Sequence, residues 1–171
     1  MRKLFAIVVI GFAALSVGAA QRLVAASEGT TFRAHLAGKN EVPPVQTPLT
    51  GNARFHLTDN DQVLAFRLSL HDTSQLLVAH IHLAPKGQNG PIVAFLFGPL
   101  PAPGLTNETV RVEGFLTDAN LTGPLTGKSI ADLVAAMKSG GAYVNAHTVD
   151  HPAGASRGQI TVSVDDNQNS D

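Results

Sequence analysis

Leu76-Leu77-Val78-Ala79-His80-Ile81-His82-Leu83-Ala84 is the stretch whose reading decides the fold. Read as a strand, its side chains alternate between two faces. Leu77, Ala79, Ile81 and Leu83 share one face, and Val78, His80 and His82 share the other. One face can enter a core while the other presents two imidazoles side by side. A His-x-His pair on a strand is a ready bidentate metal site, because positions i and i+2 project the same way. The loop Pro85-Lys86-Gly87-Gln88-Asn89-Gly90 follows at once and can shape the space beside the pair.

Outward from this stretch, the same alternation recurs. Thr31 to Ala37 places Phe32, Ala34 and Leu36 inward and Arg33 and His35 outward. Asn52 to Thr58 sets Ala53, Phe55 and Leu57 against Arg54 and His56. Asp59-Asn60-Asp61 marks a hairpin turn into Gln62 to His71, where Leu64, Phe66, Leu68 and Leu70 oppose Arg67, Ser69 and His71. Asp72-Thr73-Ser74 reads as a further turn. Pro91 to Phe97 is apolar on both faces and reads as a strand covered on both sides. Glu108 to Leu116, Ala142 to Thr148 and Gly158 to Val164 complete the set, the last with Ile160, Val162 and Val164 inward. Lys128 to Ser139 is the one helix: Ile130, Leu133, Val134 and Met137 keep helical spacing, Ser129 caps the start with Asp132 three residues on, and Gly140-Gly141 ends it. About eight short strands and one short helix predict an all-β fold, an antiparallel Greek-key-like β-sandwich of superoxide-dismutase-like or immunoglobulin-like architecture.

The totals agree with one domain. The chain has 171 residues, 44% of them hydrophobic, with a formal net charge of −1. No basic or acidic block is present, which argues against nucleic acid as a partner. Residues 1–26 read as a secretory signal peptide: Arg2 and Lys3 precede the apolar run Leu4 to Val17, and small residues follow. That run is short for a spanning helix, so membrane attachment is expected only if the leader stays uncleaved. The expected location is secreted or periplasmic. Residues 30–165 form the predicted domain, and residues 166–171 a disordered tail. There is no cysteine, so the exported domain carries no disulfide and any metal must be held by nitrogen or oxygen.

Six of the seven histidines fall on predicted strands, opposite the more apolar face: His35, His56, His71, His80, His82 and His147. The outer faces of a sandwich point apart, so all six cannot form one site. The grouping the pattern favours is His80, His82 and His147, with Tyr143 and Asn145 as supporting neighbours. Imidazole suits copper and zinc, and three nitrogens leave a coordination position for water or substrate. The competing reading has these histidines hydrogen-bonding loops. Asp59-Asn60-Asp61 lacks the glycine and distal glutamate of a calcium loop and reads as a plain turn. Asn107-Glu108-Thr109 and Asn120-Leu121-Thr122 are glycosylation sequons, relevant only in a host that glycosylates exported proteins.

Three separated motifs stand in order: Leu36-Ala37-Gly38-Lys39-Asn40-Glu41-Val42-Pro43-Pro44; Ala79-His80-Ile81-His82 with Gly87-Gln88-Asn89-Gly90-Pro91-Ile92-Val93; and Tyr143-Val144-Asn145-Ala146-His147-Thr148 with Pro152-Ala153-Gly154 and Arg157-Gly158-Gln159-Ile160. This set resembles the CHRD domain, named for its occurrence in chordin and common in bacterial secreted proteins, over about Thr31 to Val164. The resemblance implies a secreted β-sandwich-like domain, hints at an extracellular protein partner, and places histidines at His80, His82 and His147. Ala155-Ser156 stands where the family commonly has an acidic and an aliphatic residue, and His151 where asparagine is usual, so His151 is an extra candidate ligand. A second similarity, to copper-zinc superoxide dismutase, covers only the His-x-His pair and the general architecture. Three functions follow in order: a secreted binding module with a histidine site for copper or zinc, a metal-dependent redox enzyme of dismutase type, and an envelope or matrix adhesion domain.

Overall fold

The computed structural model describes residues 30–58 and 62–163. The leader expected over residues 1–26, the Asp59-Asn60-Asp61 turn, Val164 and the tail lie outside the described residues. Among those described, eight strands and one α-helix follow the order β1 (Thr31–Ala37), β2 (Thr50–Leu57), β3 (Leu64–Leu83), β4 (Ile92–Phe97), β5 (Leu105–Leu116), α1 (Ile130–Lys138), β6 (Ala142–Thr148), β7 (Ser156–Gln159) and β8 (Thr161–Val162). No described helix is long and apolar enough to cross a membrane.

All pairings are antiparallel. Hydrogen bonding runs β2–β1–β7–β6–β3–β4, and β3 pairs with β2 as well. The path therefore returns to its start. The all-β class, the antiparallel pairing and the single helix agree with the sequence reading. The expected two-sheet Greek-key sandwich is instead one sheet closed as a barrel, which removes most free edges.

β3 is what closes it. The sequence reads two strands separated by a turn at Asp72-Thr73-Ser74, yet the chain stays in the ladder for 20 residues. Asp72 and Gln75 take positive φ values of 54° and 52°. These left-handed residues bend the strand, and its register with β5 shifts between Thr73 and Leu76. The first half of β3 pairs with β2 and β5, the second half with β6 and β4. One strand thus ties both parts of the barrel together.

Alternation fills the interior. Phe32, Leu36, Phe55, Leu64, Leu68, Leu70, Ile81 and Val144 are all at most 1% exposed. The helix packs with Ile130, Leu133, Val134 and Met137 buried, as its spacing predicts. Asp132 accepts hydrogen bonds from the Ser129 amide (2.9 Å) and hydroxyl (2.8 Å), and Asp118 accepts one from the Ile130 amide at 2.7 Å.

Two local expectations fail. The last strand divides at Ile160, whose amide reaches Ala142 O while its side chain stays in the core. β8 leaves β6 and pairs with β1 alone, and Val162 ends outside at 42% exposure. β4 is not covered on both faces: Phe95 is 44% exposed.

Candidate metal centre

Two neighbouring strands carry the histidines. β3 and β6 run antiparallel with His80 opposite Asn145, His82 opposite Tyr143 and Val78 opposite His147. Ala79 and Ile81 on β3, and Ala142, Val144 and Ala146 on β6, point into the core. The alternate residues His80, His82, Tyr143, Asn145 and His147 therefore share the outer face. That face is not open to solvent, because all seven residues of β6 are buried.

Three loops bury it, and each carries one of the sequence motifs. The segment after β3 folds back so that the Gly90 carbonyl accepts a hydrogen bond from His82 Nδ1 at 2.9 Å. The Gly90 amide in turn donates to the Tyr143 hydroxyl at 3.2 Å. The segment after β6 brings the Pro152 carbonyl to His147 Nδ1 at 3.0 Å. The segment after β1 delivers Glu41, 5% exposed, to within 3.5 Å of Asn145 Nδ2.

These contacts set the tautomers. A carbonyl only accepts, so Nδ1 of His82 and of His147 must carry the proton. Nε2 of each ring then holds a lone pair. Both Nε2 atoms are buried without a partner, and so is Nδ1 of His80. His80, His82 and His147 are only 5–8% exposed, and each offers a ring nitrogen such that all three lie within 4.8 Å of one another. Unsatisfied buried nitrogens are costly when nothing occupies the space between them. Three buried imidazoles that bring ring nitrogens together, two of them with carbonyl-fixed tautomers, are a donor set that suits a copper or zinc ion. The residues present therefore fit the metal that the sequence reading anticipates.

The electrostatics agree. Burial is the main cause that pushes the His80 pKa down to about 3, helped by His147 and His82. Burial also lowers His82 against the opposing Gly90 hydrogen bond, with His147 and Arg157 adding to the lowering. Burial lowers His147, against its Pro152 contact. All three imidazoles are neutral at pH 7, the form that binds metal.

A second buried group flanks the histidines. Tyr143 stacks on His82 with ring centroids 4.9 Å apart and planes 11° apart. On Tyr143 lies the guanidinium of Arg157, with Cζ 3.4 Å from the ring centroid. Arg157 is 2% exposed and donates to Asn89 Oδ1 at 3.0 Å and Gln88 O at 2.6 Å. It thereby holds the 85–91 loop, whose Gly90 orients His82. Burial raises the Glu41 pKa to about 7, against the lowering effects of Arg157 and Asn145.

The structure brings together His80, His82 and His147 and leaves the others apart. His35 on β1 and His56 on β2 are exposed, and His71 in the first half of β3 is half-buried. His151, the extra candidate ligand, is not in the cluster; its backbone makes the turn, through Thr148 and Gly154. Sequence reasoning named Tyr143 and Asn145 as neighbours but gave Glu41 and Arg157 no role. The signal for both was their place inside the first and third motifs.

A closed antiparallel barrel with a loop-covered histidine cluster on one outer face defines the class. Comparison with protein families matches residues 32–160 to the CHRD domain, and the chain belongs to that family. No curated protein and no solved structure matches it.

Proposed function

We propose that this CHRD domain is an exported binding module that holds one copper or zinc ion on His80, His82 and His147. One observation carries the reading: His80, His82 and His147 each bring a ring nitrogen within 4.8 Å of the other two, and each ring has a buried nitrogen without a partner. The domain acts outside the cytoplasm, delivered by the leader read at residues 1–26. His82 and His147 bind through Nε2, because their Nδ1 protons are committed to Gly90 and Pro152. His80 binds through Nδ1.

The test is elemental analysis of protein recovered from its export compartment, beside a His80→Ala/His82→Ala variant and a milder His147→Gln variant. Near-stoichiometric copper or zinc in the parent, lost in both variants, supports the reading. A parent that arrives without metal and takes up none on titration leaves the histidines a structural role. The dismutase-type alternative draws on the fourth coordination position that three nitrogens leave free. It requires superoxide turnover by the copper-loaded parent that His147→Gln abolishes.

A further inference from the structure

Four of the five described arginines lie together on one part of the barrel's outer face, a different part from the one that carries the histidine cluster. On β1, β2 and the first half of β3, the residues between them are core: Phe32, Ala34, Ala53, Phe55, Leu68 and Leu70 are at most 4% exposed. Alternation then sends Arg33, Arg54 and Arg67 outward, with Arg111 on β5. Register aligns them across the strands. Arg33 stands opposite Arg54, Arg54 opposite Arg67, and Arg67 opposite Glu113. The adjacent row runs His35, Asn52, Ser69, Arg111.

Like charges directly opposite one another destabilise a sheet. Only Arg67 is compensated among the described residues, by Glu113 at 2.7 Å. A chain with a formal net charge of −1 concentrates three further guanidinium groups beside it. Two shallow hollows follow the rows, of about 390 and 580 Å³, and both are lined by Arg54. At the end of the first hollow Phe115 is 69% exposed, the most exposed large apolar side chain described.

We infer that this face binds a linear polyuronate, a polysaccharide carrying one carboxylate per sugar. The guanidinium fork pairs with carboxylate, as Arg67 already does with Glu113 on this face. Neighbouring strands are about 4.8 Å apart, comparable with the length of one sugar, so the carboxylates that face the sheet meet the row of Arg33, Arg54 and Arg67 on β1, β2 and β3. Phe115 offers its ring to the apolar face of a pyranose. Each exposed ion pair is weak alone, and a polymer gains affinity by engaging several at once. Duplex DNA fits less well, because the chain as a whole, with a formal net charge of −1, lacks the overall positive charge that drives phosphate binding. The face belongs to β1, β2, β5 and the first half of β3, so it functions with or without a metal at the histidines.

The experiment is calorimetric titration of the purified protein with de-esterified polygalacturonate oligomers in low salt. Fully methyl-esterified oligomers, duplex DNA and phosphatidylglycerol vesicles are titrated in parallel. Saturable binding to the acidic oligomers is expected, and none to the esterified ones. Arg33→Gln/Arg54→Gln/Arg111→Gln weakens it by about tenfold or more, and Phe115→Ala by roughly threefold. These side chains are exposed, so both variants keep the far-ultraviolet circular dichroism of the parent; Arg54→Glu alone serves if the triple variant does not. A chelator leaves the affinity unchanged. Absent binding, binding that survives the arginine substitutions, or equal or tighter binding of DNA or vesicles overturns the proposal.

Discussion

His82 shows how much a single side chain carries here. From sequence it sits on a strand face away from the core, so His82→Ala reads as a clean removal of a ligand. In the structure it is 7% exposed, stacked on Tyr143 and hydrogen-bonded to Gly90. His82→Ala should therefore abolish metal uptake and also lower metal-free stability by about 1–3 kcal/mol, read from chemical denaturation. An unchanged midpoint would mean that the stack and the hydrogen bond contribute nothing. Arg157 is a second such residue. Lysine keeps the charge but loses the planar contact with Tyr143 and the two-pronged grip on Asn89 and Gln88. Arg157→Lys should cost about 2–4 kcal/mol by the same measurement. A loss within error would show that charge alone suffices at this position.

At the scale of an element, the 85–91 loop and β3 govern the site. A Cβ on Gly90 would lie 1.8 Å from Leu83 O, a contact that only a shift of the loop can relieve. That shift would move the carbonyl that orients His82. Gly90→Ala should weaken zinc or copper binding by about 10- to 100-fold in a competition titration, with all three histidines still present. Retained affinity would show that Gly90 does not position the ring. β3 itself teaches why sequence alone misplaced an element. Asp72-Thr73-Ser74 has turn composition, and local chemistry does favour a left-handed residue there. Pairing with β5 on both sides of the bulge keeps the chain in the sheet. That pairing is a long-range fact, invisible to a local pattern. β1 and β6 were read with their observed bounds, Thr31–Ala37 and Ala142–Thr148, because one face of each is core and a period of two follows.

For the whole molecule, the buried ionisable groups set the response to pH. His80, His82 and His147 have lowered pKa values in the fold, His80 to about 3. Below about pH 6.5 the unfolded chain takes up protons that the folded chain resists. Stability therefore falls as the pH drops from 6.5 toward 3. Glu41 acts oppositely: raised to about 7, it is protonated in the fold between 4.5 and 7 but ionised when unfolded. Its contribution is present below 4.5 and is lost as the pH rises through 7. Three histidines outweigh one carboxyl, so the metal-free protein should be less stable at pH 5 than at pH 7. Thermal melts across that range check the sign, and a rise toward pH 5 would contradict the buried, neutral assignment. Bound metal should enlarge the drop, since protons and metal compete for the same nitrogens.

The sequence by itself determined the all-β class, most strand positions, the helix with its cap, and the pairing of His80 with His82. Each follows from a local cause: the two-residue period, helical spacing, or the fixed projection of positions i and i+2. The place of His147 beside that pair was legible as a pattern, and the family motifs pointed the same way. Only the tertiary structure decided that the sheet closes through a bent β3 and that Glu41 and Arg157 lie buried beside the histidines. It also aligned four dispersed arginines on one face. These arise from contacts between residues far apart in the chain, such as Arg157 with Asn89 and Arg33 opposite Arg54. Register between strands fixes such contacts, and register is a property of the folded sheet.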